Sequence, residues 1–339
     1  MPRKARIDAP GALHHIIVRG IERKAIFKDL TDYHNFRDRF GQILEDTDTP
    51  CFAWSLMKNH VHLLLRTGYA PLSTVMRRLL TGYAQQFNRR HKRHGHLFQN
   101  RYKSILCEED PYFLELVRYI HLNPIRAGIV KDLTTLNTYP QTGHSALMGK
   151  VENEWQDTGY VLKMFGQTIR DARKAYSEFV SKGVALGRRP ELVGGGLIRS
   201  VGGWAVAKKY RSANIRVISD ERILGSSDFV ESVLKLANEK YEKKTYAIAK
   251  GMNVDVLIDM VADSLKISSN IIRSNSKQQP GGRARAIICY LASERLGTSG
   301  AQLARKLQLS PSAVSKLISR GRQDNLANKI DSQLFKLKK

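Results

Sequence analysis

The residues with the most chemistry to offer lie in one short run, Asn59-His60-Val61-His62-Leu63-Leu64-Leu65. From Trp54 to Arg66 the chain is mostly apolar and sits between Pro50 and Gly68, the pattern of a strand or a tight strand pair. Alternation along a strand puts His60 and His62 on one face, roughly 7 Å apart, and Val61, Leu63 and Leu65 on the other. Two imidazoles so placed can close on one metal ion. The same spacing also fits two half-buried histidines, each with a hydrogen-bond partner.

A second group follows sixty residues on, from Asp110 to Pro124. Asp110 and Pro111 read as a capping side chain and a first-turn proline; Pro124 lies past the helix body and Gly128 closes the segment. Tyr119 and Asn123, four residues apart, share a helix face that offers a metal an amide oxygen and, one turn back, a phenol. His-hydrophobe-His followed by Tyr-x-x-x-Asn-Pro resembles the single-tyrosine HUH transposases, especially the REP-associated tyrosine transposases. The opening Met1-Pro2-Arg3-Lys4-Ala5-Arg6, His14-His15-Ile16-Ile17-Val18-Arg19-Gly20 and Phe98-Gln99-Asn100-Arg101-Tyr102-Lys103 resemble that family too, so the likeness covers about residues 1–145.

The resemblance implies a role for each matching position. Tyr119 is the nucleophile, His60 and His62 are metal ligands, and Asn123 takes the place of the third ligand. It also implies Mg2+ or Mn2+, a single-stranded or hairpin DNA substrate, a 5′-phosphotyrosine and a free 3′-hydroxyl. Ligand softness alone does not choose the metal, since imidazoles suit zinc as well. Tyr112 is a rival phenol two turns earlier, ranked lower because only Tyr119 has an amide one turn after it. His14 and His15 read as structural. Two alternatives stand beside the transposase: a DNA-binding regulator that keeps the fold, and a replication or transfer nickase. The family includes both one-subunit and two-subunit active sites, so monomer and homodimer stay open.

The elements that must position these residues follow from the apolar pattern. A strand at Ala12–Arg19, a helix from Thr31 to Leu44, strands at Cys51–Met57 and His60–Arg66, a helix from Pro71 to Arg90 and a strand from Leu97 to Cys107 precede the Tyr119 helix. That order is β-α-β-β-α-β plus a helix: an α+β fold with a ferredoxin-like antiparallel sheet and helices on one face. The run Arg89-Arg90-His91-Lys92-Arg93 reads as a DNA-backbone clamp, with Phe98 and Tyr102 near enough to stack bases. Arg101, Lys103, Arg118 and Arg126 are further phosphate contacts on this reading.

Composition sets the outer bounds. At 339 residues the chain has room for two or three cores, and 56 basic against 31 acidic residues give it a charge of +25. The ends are the most basic, with 21 basic against 12 acidic residues in 1–130 and 15 against 4 in 261–339. Such a charge suits nucleic acid, an anionic membrane or an acidic protein. No apolar run reaches the roughly 20 residues of a membrane span. The N-terminus has charge but no apolar signal core, which predicts an unprocessed, cytosolic protein; the resemblance implies the bacterial cytoplasm and association with the nucleoid. Cys51, Cys107 and Cys289 are odd in number and scattered, as reduced core thiols would be.

We expect three regions: a catalytic domain over 1–145, a helical middle over 146–250 and a helix-turn-helix domain over 251–339. The run Gly194–Trp204 is glycine-rich but lacks the Gly-Lys-Ser/Thr ending of a phosphate loop. Ser219 to Leu236 reads as a helix with Asp220 and Glu221 in its first turn. Near the end, Ala301, Leu303, Ala304, Leu307, Leu309, Val314 and Ile318 fit a helix-turn-helix, with Ser310 as cap, Pro311 opening the second helix and Gly321 ending it. Ser312, Ala313, Ser315, Lys316, Ser319 and Arg320 would then face duplex DNA. Residues 255–322, notably Arg283-Ala284-Arg285-Ala286-Ile287-Ile288-Cys289-Tyr290, resemble the DNA-binding domain of the bacterial chromosomal replication initiator, which adds Arg283 to the DNA contacts. That domain's Asp-His-Thr-Thr recognition run is absent, so no target sequence carries over.

Overall fold

A computed structural model describes residues 7, 11–68, 70–187, 189–193, 219–249, 251–274 and 279–334. The chain divides into two units, Met1–Glu231 and Ser232–Lys339. In the first, β1 (Leu13–Arg19), α1 (Leu30–Thr47), β2 (Cys51–Met57), β3 (His60–Arg66), α2 (Leu72–Arg90) and β4 (Lys103–Cys107) follow in the expected order. Their strands lie β2-β3-β1-β4, all antiparallel, which is the ferredoxin-like arrangement. A late strand, β5 (Ile223–Leu224), adds to the outer edge of β4 in parallel.

Local chemistry explains the boundaries. Asp29 caps α1 by accepting from the Asp32 amide. β2 and β3 are joined through Lys58 and Asn59, and the Lys58 carbonyl accepts from the amides of Ile26 and Phe27, which pins that turn. On one face of the sheet, Ile16, Val18, Trp54, Val61, Leu63 and Leu65 pack with Phe36 and Phe40 of α1 and Val75, Leu79, Tyr83 and Phe87 of α2.

The expectation of helices on one face holds only for α1 and α2. The opposite face is covered as well, by α3 (Glu109–His121), α4 (Asn123–Arg126), α5 (Leu133–Thr138), α6 (His144–Leu147), α7 (Thr158–Lys163) and α8 (Ile169–Val184). Leu13, Ile17, Phe52, Leu64 and Ile105 of the strands meet Phe113, Leu116, Val117, Ile120, Tyr176 and Val180 there. The reason is visible in β2, whose seven residues are all buried: such a strand needs cover on both sides.

That second layer carries the first unit well past residue 145, to Glu231. Gln156 accepts from the buried Trp54 indole at 2.8 Å, and the Leu56 amide donates to the Gln141 carbonyl, so residues 141–157 run along the free edge of β2. On the other edge, Leu106 and Glu108 donate to the carbonyls of Arg222 and Leu224. The helix read from Ser219 begins only at Ser227, as α9 (Ser227–Ala249). Asp220 does not serve its N-terminus; its carboxylate holds the Arg222 side chain and amide instead. The glycine-rich run from Gly194 and the opening Met1–Arg6 lie outside the described residues. All three cysteines are buried and outside any disulfide, as expected.

The second unit is helical: after α9 come α10 (Val254–Leu265), α11 (Ser269–Arg273), α12 (Gly281–Leu291), α13 (Gly300–Lys306), α14 (Pro311–Arg322) and α15 (Asn325–Leu334). Leu257, Ile258, Val261, Ile287, Ile288, Leu291, Leu303, Leu307 and Val314 form its core. A capping box of Ser299 and Gln302 opens α13, and Ser310 with Pro311 opens α14. Gly321 does not end α14, which runs on to Arg322. A Cβ there would stand 2.0 Å from the Ala286 carbonyl oxygen, so Gly321 is where α14 and α12 touch backbone to backbone. Among the described residues no helix is long and apolar enough to cross a membrane.

Candidate active site

The pairing of β3 with β1 brings a third histidine to the His60–His62 face. Ile17 lies opposite His62 and His15 opposite Leu64, so His15 is diagonal to His62 on the same side of the sheet. The two rings stack at 5.2 Å between centroids, and His15 Nε2 is 2.9 Å from His62 Nδ1. The His60 ring stands 5.2 Å from that of His62, nearly perpendicular to it. His60 Nδ1 donates to Asn59 Oδ1 at 2.7 Å, and the Asn59 amide nitrogen donates to the Arg23 carbonyl at 3.0 Å, which fixes which end of the amide faces the ring.

Helix α3 lies over this face, held down by Leu116, Val117 and Ile120. It starts one residue before the expected cap, at Glu109. The Glu108 side chain makes no capping bond and accepts instead from the Ser226 amide and hydroxyl. Tyr119 hangs over the histidines, its ring edge-on to His15 at 6.0 Å and to His62 at 5.8 Å. No such ring contact joins Tyr112 to the histidines among the described residues. The Arg126 guanidinium sits over the Tyr119 ring at 5.1 Å and donates to the Tyr119 carbonyl at 3.2 Å. Asn123 follows by one turn. Leu122 keeps right-handed helical angles between the two, and Asn123 is buried with an amide nitrogen that meets no hydrogen-bond partner among the described residues.

The electrostatics suit a metal site. Burial lowers His60 to about 4, with Arg19 adding to the effect. Burial and the charges of His15, His60 and Arg19 hold His62 well below its ordinary value. Both imidazoles are therefore neutral near pH 7, with lone pairs to give. Burial raises the Tyr119 phenol, Arg126 and Arg19 pull it back, and Glu191 adds to the rise. Two neutral imidazoles fit a divalent ion, and Asn123 would join them through its Oδ1, an amide nitrogen having no lone pair to give.

The basic residues expected at DNA divide into exposed and internally paired. Arg89, Lys92 and Arg101 are exposed. Arg90 bonds Asp29 and Asp32, and Arg93 bonds Asn88 and the His96 carbonyl. Lys103 is exposed and reaches the Val193 carbonyl at 2.9 Å. Arg118 is buried, paired with Glu115 and stacked on Phe179. In the second unit Arg283 makes a two-pronged bond to Asp324. Ser312, Lys316 and Arg320, four residues apart along α14, are exposed, with Ser315 half-buried beside them. Asp29, Asp32 and His91 also lie within metal-ligand distance of one another, but Arg90 already neutralises the carboxylates.

Below the site is a buried chain that the sequence reading did not anticipate. His144 Nε2 donates to Asn137 Oδ1 at 2.8 Å, which leaves its Nδ1 to accept from the Tyr176 hydroxyl at 2.9 Å. The Tyr176 oxygen in turn accepts from His121 Nδ1 at 2.8 Å. Asn137, His144, Tyr176 and His121 stand on α5, α6, α8 and α3, so this chain ties the Tyr119 helix to its supports. His15, which the sequence suggests is structural, also meets His62 and Tyr119. Its signal was present, since Leu13, His15 and Ile17 alternate onto one face of a recognised strand, but only the β1–β3 register shows that face to be the site.

A family model described as Transposase IS200 like matches residues 10–123. Among solved structures, "Structure of the REP associates tyrosine transposase bound to a REP hairpin" is 16% identical and covers 46% of this chain and 98% of that one, with a TM-score of 0.37. No curated protein matches the chain. The matched stretch contains both histidines of the pair, Tyr119 and Asn123, and in this part the chain is similar to the IS200-like transposases.

Proposed function

We propose that the chain is a transposase that cleaves and rejoins single-stranded DNA through Tyr119, with His60, His62 and Asn123 holding Mg2+ or Mn2+. The observation that carries the reading is the ring cluster, in which Tyr119 stands 5.8 Å from His62 and 6.0 Å from His15. The Tyr119 oxygen attacks phosphorus, the bond from phosphorus to the 3′-oxygen breaks, and the phenolic proton is given up. The strand is left as a 5′-phosphotyrosine beside a 3′-hydroxyl that has gained a proton. Rejoining is the reverse, with a 3′-hydroxyl displacing the tyrosine. A bound divalent ion supplies charge neutralisation on the phosphate oxygens and fixes their geometry. Arg126 holds the Tyr119 ring and its backbone and, with Arg19, favours the phenolate. Arg89, Lys92, Arg101 and Lys103 contact the backbone of hairpin DNA, and the α14 face of Ser312, Lys316 and Arg320 contacts duplex DNA.

The test is cleavage of labelled hairpin DNA taken from repeats flanking the gene, by wild type and Tyr119→Phe, each with manganese and with chelator. A covalent adduct that needs both the metal and the hydroxyl is expected. Binding without an adduct on any flanking sequence would favour a regulator that keeps the fold. An adduct from Tyr119→Phe would move the nucleophile to Tyr112.

A further inference from the structure

We infer that His15 is a positioning residue for the metal site: it accepts the Nδ1 hydrogen of His62 and thereby turns the His62 Nε2 lone pair towards the ion. The inference rests on the reading of His60 and His62 as ligands and adds a residue to it. The hydrogen bond between His15 Nε2 and His62 Nδ1, at 2.9 Å, has one hydrogen to share. If His15 donated it, a neutral His62 would carry its own hydrogen on Nε2 and have no lone pair there for a metal. Ligation by His62 therefore requires that His62 donate and that His15 keep its hydrogen on Nδ1. His60 is braced in the same sense: Asn59, oriented by the Arg23 carbonyl, accepts from His60 Nδ1 and leaves Nε2 for the ion.

The position of His15 supports the role. It is fully buried, on the strand that pairs with the ligand strand, and its ring also meets Tyr119 edge-on at 6.0 Å. One imidazole thus touches a proposed ligand and the proposed nucleophile from beneath. A buried histidine with only a packing role needs no such alignment of its Nε2 with the ligand's Nδ1.

The experiment is Mn2+ binding to the full-length chain, followed by electron paramagnetic resonance, for wild type, His60→Ala, His15→Phe and His15→Gln. Near-ultraviolet circular dichroism checks that each is folded. Glutamine places an acceptor near the Nε2 position, and phenylalanine keeps bulk without one. We expect His15→Phe to weaken Mn2+ binding by roughly 10–100-fold and His15→Gln to stay within about threefold of wild type. A folded His15→Phe with wild-type affinity overturns the inference, as does a folded His15→Gln as weak as the phenylalanine variant. Should His15→Phe not fold, nitrogen-15 imidazole spectra of the magnesium-loaded wild type decide, since a hydrogen on His15 Nε2 overturns the assignment. If wild type binds no Mn2+, or His60→Ala binds it equally well, the metal site itself is misplaced and the inference falls with it.

Discussion

Changing Tyr176 to phenylalanine removes one oxygen and leaves the ring that packs among Phe165, Val180 and the α3 side chains. That oxygen makes both bonds of the bridge, accepting from His121 at 2.8 Å and donating to His144 at 2.9 Å. Both imidazoles are buried, at 0% and 1% exposure, so water does not replace the lost partner. A buried polar group left unsatisfied costs about 1–3 kcal/mol. Two such groups, less some relaxation, make Tyr176→Phe about 2–5 kcal/mol less stable. Urea unfolding followed by tryptophan fluorescence measures it, because Trp54 lies buried in the same unit. A loss below about 0.5 kcal/mol would mean that the bridge is not made in solution and that α3 is held by apolar contacts alone. Since α3 carries Tyr119, the variant is also expected to form less adduct on the hairpin substrate at equal protein concentration.

Four further outcomes can be checked. His14, His60 and His144 are each lowered by burial to about 4, against 6.5 in the unfolded chain. Between those values the unfolded state binds more protons, so stability is full above about pH 6.5 and falls as the pH drops towards 4, by roughly 3 kcal/mol for each such group. Urea midpoints unchanged between pH 7 and pH 5 would contradict this. Gly321→Ala forces a Cβ against the Ala286 carbonyl and should destabilise the second unit by more than about 2 kcal/mol, read as faster amide exchange in α12 and α14. Lys316→Ala should weaken duplex binding and reduce its salt dependence by about one counterion, whereas Arg283→Ala, whose charge Asp324 already meets, should change the salt slope little. Removing the guanidinium above Tyr119, by Arg126→Met, should slow adduct formation by about tenfold or more without changing Mn2+ affinity.

The first unit was readable where local pattern decides structure. Alternation in β3 separated His60 and His62 from Val61, Leu63 and Leu65, and the strand and helix order led to the sheet arrangement observed. Pairing chemistry between distant segments was not readable. No local signal says that Asn59 is turned by the carbonyl of Arg23, or that His15 comes to lie against His62; both depend on register. The extent of the first unit was hidden for the same reason. Gln156 and Tyr176 look like ordinary helix and loop residues until Trp54 and His121 are seen to bond them. Gly321 misled because a glycine near a helix end reads as a stop signal, while here its lack of a side chain serves a helix crossing.

The late strand β5 bears on how the protein is made. The outer edge of β4, complete at Cys107, receives its partner only from Ile223 and Leu224, more than a hundred residues later in synthesis. At about 5–20 residues per second, a nascent chain would hold that row of backbone donors and acceptors bare for roughly ten seconds. On a polysome, neighbouring copies would be within reach of one another during that time, each offering an edge that another strand can join. Fast elongation shortens that interval and widely spaced ribosomes keep the copies apart, whereas a shortened product that stops before Ile223 would keep the edge open for good.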